Sequence, residues 1–138
     1  MGILFFVMKI TLKVLSFVLF IFIASCSKNE VEEENITLVI PTVITKEVTN
    51  LKSYSVTFNA ELVNEGSAGI LSRGFCWSFN SNPTIGDKYT EVDGSGVGHF
   101  FKDFSDLKPN TTYHLRAFVV TNYDNKVYYG NDIIFTTL

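Results

Sequence analysis

From residue 36 onward the chain alternates apolar and polar positions in short runs. Val, Thr, Phe and Tyr are frequent within the runs, and Gly, Asn, Asp and Pro separate them. This alternation predicts half-buried β-strands, because successive side chains of a strand point to opposite faces of its sheet. No stretch longer than ten residues has the 3.6-residue period of a helix. Strands are predicted at residues 37–46, 54–63, 70–79, 87–92, 97–105, 111–121 and 126–137.

The spacing of these runs indicates the fold class. Seven short strands within about 100 residues favour an all-β, seven-stranded antiparallel β-sandwich over residues 36–138. Pro41 cannot donate a hydrogen bond to a neighbouring strand, so the first strand is expected at a sheet edge. The inward positions of the alternation predict the core, which is expected to contain Phe58, Trp77, Tyr113, Leu115, Ala117 and Phe135.

The amino-terminal segment has a different pattern. Residues 14–25 form an apolar run directly after Lys9 and Lys13. A membrane-spanning helix needs about 20 apolar residues, more than this run provides. Basic residues, a short apolar stretch and small residues at its end predict a secretory signal peptide over residues 1–25. Met8 followed by Lys9 also forms a conventional start, so initiation at Met8 is an alternative to Met1.

The end of this segment is the most specific motif of the chain. Ile23, Ala24 and Ser25 precede Cys26, and the four residues resemble the lipobox of bacterial lipoproteins. The resemblance implies cleavage before Cys26, a diacylglycerol on its thiol and acylation of the new amino terminus. Several acyl chains are needed because each buried methylene contributes about 0.8 kcal/mol and one chain anchors a protein only marginally. The alternative is an ordinary secretory signal, or an uncleaved anchor, with a chance cysteine.

Residues 26–35 follow as a polar segment. After Cys26 they contain four glutamates and one lysine and no apolar periodicity, which predicts a solvated tether. The acidic stretch also resembles the surface-export signal of Bacteroidetes lipoproteins. That resemblance implies an outer-membrane lipoprotein exposed at the cell surface, and a plain flexible linker is the alternative.

A second resemblance begins at Leu107. The segment L-K-P-N-T-T-Y at 107–113, with Leu115, Ala117 and Val119 after it, resembles the L-x-P-x-T-x-Y corner and following strand of fibronectin type III domains. The resemblance implies an immunoglobulin-like sandwich in which the Tyr113 hydroxyl bonds to the backbone upstream. Such folds host many functions, so no single activity is implied.

Three further segments resemble the variant of this domain found in Bacteroidetes lipoproteins. The sequence departs from the family at Lys102, where an apolar or small residue is usual, and this leaves the inward side of strand 97–105 open. The segments are G-F-C-W-S at 74–78 with N-P-T at 82–84, R-A-F at 116–118, and Y-G-N at 129–131 before F-T-T at 135–137.

Charge excludes one class of partner. The chain has 11 basic and 14 acidic residues, a net charge of −3. Residues 1–25 hold two of the lysines and no acid, so the remainder has 9 basic and 14 acidic residues, a net charge of 9 − 14 = −5. Nucleic-acid binding depends on neutralising phosphates and is not expected.

Candidate catalytic groups are few and scattered. Cys76 has aromatic neighbours, which favour a structural thiol over a nucleophile. His99 and His114 lie too far apart in sequence to form a close metal-ligand pair. The glycine-rich segment 93–98 has G-x-G-x-G spacing and no helix after it, which favours a turn over a phosphate site. We therefore expect no enzyme activity, no metal and no cofactor.

Two classes of function remain. The first is a non-catalytic binding module for a glycan or a protein, anchored to the cell envelope through its lipid. The second is a structural or assembly subunit that packs against an outer-membrane or lipoprotein partner. A glycan-binding module is expected to expose an aromatic platform flanked by hydrogen-bonding side chains. An assembly subunit is expected to expose an apolar patch on the order of several hundred Å².

The candidate binding face lies on strand 111–121. If Leu115 and Ala117 point inward, the side chains between them point outward. Arginine and aromatic side chains dominate binding hot spots, although single exposed apolar residues are also common without a function. The strand at 70–79 is expected on one side of this strand and the last strand on the other. The expected binding face consists of His114, Arg116, Phe118, Tyr123 and Tyr128.

Overall fold

A computed structural model describes residues 37–138, which form two antiparallel β-sheets and contain no helix. None of these residues belongs to a helix long and apolar enough to cross a membrane. The predicted signal peptide with its alternative start at Met8, the lipobox at 23–26 and the tether lie outside the described residues. The strands are β1 Thr42–Thr49, β2 Ser55–Asn64, β3 Ile70–Ser78, β4 Lys88–Glu91, β5 Gly98–Ser105, β6 Thr112–Thr121, β7 Val127–Tyr129 and β8 Ile133–Thr136.

The strands divide between a three-stranded and a five-stranded sheet. The first has the order β1-β2-β5, so β1 lies at an edge, as Pro41 predicts. In the second, β3 lies between β4 and β6, while β7 and β8 both pair with the other side of β6. The expected neighbours of strand 111–121 are therefore confirmed.

The first strand begins later than predicted. Residues 37–41 precede it and dock on the loop between β2 and β3 instead of joining the sheet. The backbone of Val39 donates to the Ser67 hydroxyl at 3.0 Å and accepts from the Ser67 N–H at 2.9 Å. Because Pro41 has no N–H to donate, the sheet pairing starts after it.

The prediction of seven strands is wrong, because the run at 126–137 forms two. Gly130 lies between β7 and β8, so close to β1 that a Cβ there would lie 2.9 Å from the Thr45 nitrogen. The Asn131 side chain then accepts from the Thr45 N–H at 2.9 Å and donates to the Thr45 carbonyl at 3.1 Å. This attachment to the other sheet interrupts the pairing along β6.

The core fills the space between the two sheets. The Phe58 ring of β2 lies 5.5 Å from the Phe75 ring and 5.6 Å from the Trp77 ring, both on β3. The residues expected in the core are each at most 6% exposed: Phe58, Trp77, Tyr113, Leu115, Ala117 and Phe135.

Candidate binding site

The outer face of the five-stranded sheet, where the binding face is predicted, is covered by the chain itself. The loop at 79–87 folds across it. Pro83 of this loop is fully buried, and its carbonyl accepts a hydrogen bond from the Cys76 thiol at 3.3 Å. Further along, the Ile85 N–H donates to the Tyr129 hydroxyl at 3.1 Å. Much of this face therefore contacts the loop rather than an external ligand.

The central pair of the predicted face has a structural role. Phe118 is 1% exposed, so its predicted exposure is wrong. The Tyr89 ring of β4 covers it edge-on at 6.0 Å between ring centres. The Arg116 guanidinium lies 4.6 Å from the centre of the Tyr129 ring, and its Nε donates to the Gly130 carbonyl at 2.8 Å. Both side chains thus help to hold β4, β6 and β7 together.

His114 is linked to the 79–87 loop through Asp132. Its Nδ1 lies 2.9 Å from Oδ2 of Asp132, and the same oxygen accepts the N–H of Asn82 at 2.8 Å. The side chains of His114 and Asp132 are 18% and 17% exposed. This arrangement fastens the loop to the start of β6.

The two tyrosines of the predicted face lie elsewhere. Tyr128 pairs with the buried Val119 and packs against the core, so its predicted outward position is wrong. Tyr129 pairs with Phe118 and takes the outward position instead, since a shift of one residue along a strand reverses the face. Tyr123 is 90% exposed, in the loop after β6 and thus at the opposite end of this strand from His114. The five residues do not form one surface.

An open face with exposed aromatic side chains lies on the three-stranded sheet. The side chains of His99 and Phe101 project from the same face of the edge strand β5. Their rings stack with centres 6.2 Å apart and planes at 25°. Phe101 is 56% exposed. In register, His99 pairs with Glu61 and Phe101 pairs with Asn59 of β2. We call His99 and Phe101 the β5 platform.

Charged groups flank the β5 platform on the same face. The Lys46 ammonium of β1 lies 2.8 Å from a carboxylate oxygen of Glu61. Its hydrogen bond and positive charge lower the pKa of the Glu61 carboxyl. Because Glu61 pairs with His99, this ion pair lies directly beside the aromatic rings. The face therefore combines a stacking surface with donors and acceptors.

The face continues into a shallow concavity at the far end of β5. The Thr57 hydroxyl donates to the Asp103 carboxylate and accepts from the Asn50 side chain at 3.2 Å. The concavity has a volume of about 360 Å³, and Lys52 and Ser105 also line it. The concavity is open, and its lining combines polar side chains with the apolar Val56 and Phe104.

Two findings concern metal binding and thiol chemistry in the described residues. Among residues 37–138 no three or more His, Cys, Asp or Glu side chains are placed to hold a metal ion. Burial raises the pKa of the Cys76 thiol to about 12, so this thiol is protonated near neutral pH and is not a nucleophile.

Comparison with known proteins gives a fold and no family. No family model and no curated protein matches the chain. It is similar to the solution structure of the sensor domain of the anti-sigma factor RsgI4 from Pseudobacteroides cellulosolvens, at 18% identity and a TM-score of 0.55 over 72% of this chain and 76% of that one. A shorter form of that sensor domain has 14% identity and a TM-score of 0.54, over 71% and 94% of the two chains. These identities support a shared fold alone.

Proposed function

We propose that this chain is a cell-envelope lipoprotein, attached to the outer membrane through Cys26, whose domain is a non-catalytic binding module for a glycan. The β5 platform is the observation that carries the proposal, since two exposed, stacked rings lie beside the Lys46–Glu61 ion pair. Sugar rings present apolar C–H faces to aromatic side chains and hydroxyls to polar ones. A platform of this composition provides both contacts on one open face.

The proposed domain type is a fibronectin type III-like sandwich. Its support is the corner before β6, where the Lys108 N–H donates to the Tyr113 hydroxyl at 3.0 Å and Leu107 is buried. This is the contact that the L-x-P-x-T-x-Y resemblance implies. The similarity to a bacterial sensor domain supports a recognition role for this fold.

The experiment compares Phe101→Ala with Phe79→Ala in the intact chain, purified in detergent and applied to an array of soluble bacterial and plant polysaccharides. The two phenylalanines are matched in exposure, 56% and 59%, but Phe79 lies beyond the end of β3, away from the β5 platform. We expect binding to fall at least about tenfold in Phe101→Ala, because aromatic anchors carry much of a binding energy, and to persist in Phe79→Ala. Loss in Phe79→Ala alone would place the site at the loops.

A second candidate function has its own observation. Leu38, Val39 and Ile40 are consecutive apolar residues that are 63%, 45% and 56% exposed. A short apolar strip of this kind suits permanent packing against a partner protein, as in an assembly subunit. Co-purification of a stoichiometric envelope protein that is lost in Leu38→Glu with Ile40→Glu, and kept in Phe101→Ala, would favour this function over glycan binding.

A further inference from the structure

A second cavity adjoins the β5 platform at the free edge of β5. It has a volume of about 360 Å³. Arg73 and Val92 line it from the five-stranded side, and Phe100 and Lys102 line it from β5. His99 and Phe101 also form part of its wall. A ligand that lies on the platform therefore reaches this edge cleft without leaving the surface.

Arg73 contributes a buried positive charge to the edge cleft. The residue is only 8% exposed. It donates one hydrogen bond, from Nη1 to the Gly96 carbonyl at 2.9 Å, and its guanidinium lies 4.7 Å from the centre of the Phe100 ring. Within residues 37–138 its Nε is buried without a partner, and no carboxylate lies within ion-pair distance of it. Buried charges are normally paired, so this guanidinium lacks an anion.

Lys102 adds a second cation. It stands on the inward side of β5, in register with Phe58 and between Phe100 and Phe104. β5 is an edge strand and Lys102 lines the edge cleft. At such an edge a lysine stem can cover apolar surface while its ammonium reaches water. In the described part of the chain Lys102 forms no ion pair. This explains how a lysine is accommodated at the position where the fibronectin type III pattern has an apolar or small residue.

One acidic group is present at the rim. Asp93 lines the edge cleft but is exposed, and it forms no ion pair with Arg73 or Lys102. Its charge is therefore screened by water, whereas Arg73 is only 8% exposed and its guanidinium lies against the Phe100 ring. Electrostatic attraction is stronger at such a partly desolvated group. The edge cleft keeps an excess of positive charge in a chain whose net charge is −3.

We propose that the edge cleft binds a carboxylate of an acidic glycan, so that the ligand class of the module is a uronate-containing polysaccharide. This inference rests on the proposed glycan-binding function. One sugar ring stacks on Phe101, and the chain of sugars crosses the edge of β5 to place a neighbouring carboxylate between Arg73 and Lys102. A guanidinium and an ammonium both form short, charge-assisted hydrogen bonds with carboxylates.

The test measures calorimetric affinities of the intact, detergent-solubilised chain for trigalacturonate and for its fully methyl-esterified form. We expect the acid to bind about tenfold more tightly than the ester, with an affinity that falls as salt is added. Lys102→Met should lower the affinity for the acid towards that for the ester, with Arg73 retaining part of the preference, and leave the affinity for the ester unchanged. Asp93→Asn should raise the affinity for the acid, because it removes a repelling charge.

Lys126→Met is the matched control, since Lys126 lies in the loop before β7 with its ammonium 5.2 Å from the Tyr128 ring centre. It should change neither affinity. Arg73→Met is less decisive, because loss of the bond to Gly96 also loosens the 93–98 loop. If the acid and the ester bind equally well and Lys102→Met changes neither affinity, the edge cleft does not bind a carboxylate. The proposed glycan binding would be unaffected by that result. Binding of neither ligand would also overturn carboxylate binding at the edge cleft, and the Phe101→Ala array experiment would then decide the proposed function separately.

Discussion

The Tyr113 hydroxyl accepts a hydrogen bond from the backbone N–H of Lys108, with 3.0 Å between oxygen and nitrogen. The ring of Tyr113 stacks on Phe135 of β8 at 5.5 Å, with the planes at 19°. The carbonyl of Lys108 in turn accepts from the Thr137 hydroxyl. Lys108 is therefore held at both its N–H and its carbonyl, which fixes the loop before β6 against the last strand.

The first prediction concerns this corner. Tyr113→Phe leaves the ring in place and removes the acceptor for the Lys108 N–H, so the free energy of unfolding should fall by about 1–3 kcal/mol. Urea unfolding followed by circular dichroism measures the change. Tyr123→Phe is the control, because Tyr123 is 90% exposed. Removing its hydroxyl should change the free energy of unfolding by no more than about 0.5 kcal/mol. An equal effect of the two variants would show that the corner bond contributes nothing.

The second prediction concerns the core. The Trp77 ring is 4.3 Å from Phe104 and 5.6 Å from Phe58, and the residue is 4% exposed. Trp77→Ala should cost about 3–5 kcal/mol, much of the stability of a small domain, and leave little folded protein. The melting temperature, followed by far-ultraviolet circular dichroism, tests this. A value near that of the wild type would contradict the tight packing around the indole.

The alternation of apolar and polar residues along a strand predicts the sheet face to which each side chain points. It does not predict whether another part of the chain covers that face. It places Leu115 and Ala117 inward, and both are fully buried. It also places Phe118 outward, and the Phe118 side chain does project from the outer face of its sheet. Nothing in the alternation reveals that Tyr89 and the 79–87 loop cover this face, because those contacts join residues that are distant in sequence.

The sequence contains a local indication that the last predicted strand is divided, but the alternation pattern alone does not show what the interruption means. Gly130 and Asn131 interrupt a run of strand-forming residues, and a glycine within a strand often marks a close backbone approach. Which backbone approaches it, that of Thr45, depends on the packing of β1 against the other sheet. Without the split, Tyr128 and Tyr129 exchange faces, and this produced the error in the predicted binding face. At β5 a lysine occupies an inward position, so the sequence did not show which face of this strand points outward. The exposed positions of His99 and Phe101 were therefore not predicted.

The third prediction tests the bond between the sheets. Asn131→Ala removes both hydrogen bonds to the Thr45 backbone and should destabilise the domain by about 1–2 kcal/mol. Amide exchange measured by NMR should show faster exchange at Thr45, since its N–H donates to the lost side chain. Asn80→Ala, in an exposed loop, is the control and should leave Thr45 protected. Unchanged exchange at Thr45 in Asn131→Ala would contradict a role for this contact.

The fourth prediction concerns the anchor. Cys26→Ala should abolish attachment of lipid and leave the precursor uncleaved, because the resemblance to a lipobox implies that the Cys26 thiol receives the diacylglycerol. Metabolic labelling with a fatty-acid analogue in a bacterium that processes lipoproteins measures attachment. Cys76→Ala is the matched control and should be labelled like the wild type. Labelling of Cys26→Ala at the level of the wild type would contradict lipidation at this residue.

The fifth prediction is a pH dependence that arises from Cys76. Burial raises the pKa of its thiol from 9.0 to about 12. In the folded chain the thiol therefore stays protonated over a range in which the unfolded chain releases the proton. Below pH 9 both states hold the proton and the contribution to stability is fully present. Between about pH 9 and pH 12 the free energy of unfolding should fall by about 1.4 kcal/mol per pH unit from this group.

Urea unfolding at about pH 8 and pH 10.5, compared between Cys76 and Cys76→Ala, isolates this contribution. A Cys26→Ser background leaves Cys76 as the sole thiol, because the chain has two cysteines. Because the two variants differ only at residue 76, contributions from the rest of the chain cancel in the comparison. The chain with Cys76 should lose about 2 kcal/mol more than Cys76→Ala between the two pH values, since 1.5 units separate pH 10.5 from the unfolded pKa of about 9. Equal losses of stability would mean that the Cys76 thiol ionises as readily in the folded chain as in the unfolded one. The 79–87 loop, whose Pro83 carbonyl accepts from this thiol, would then open to water.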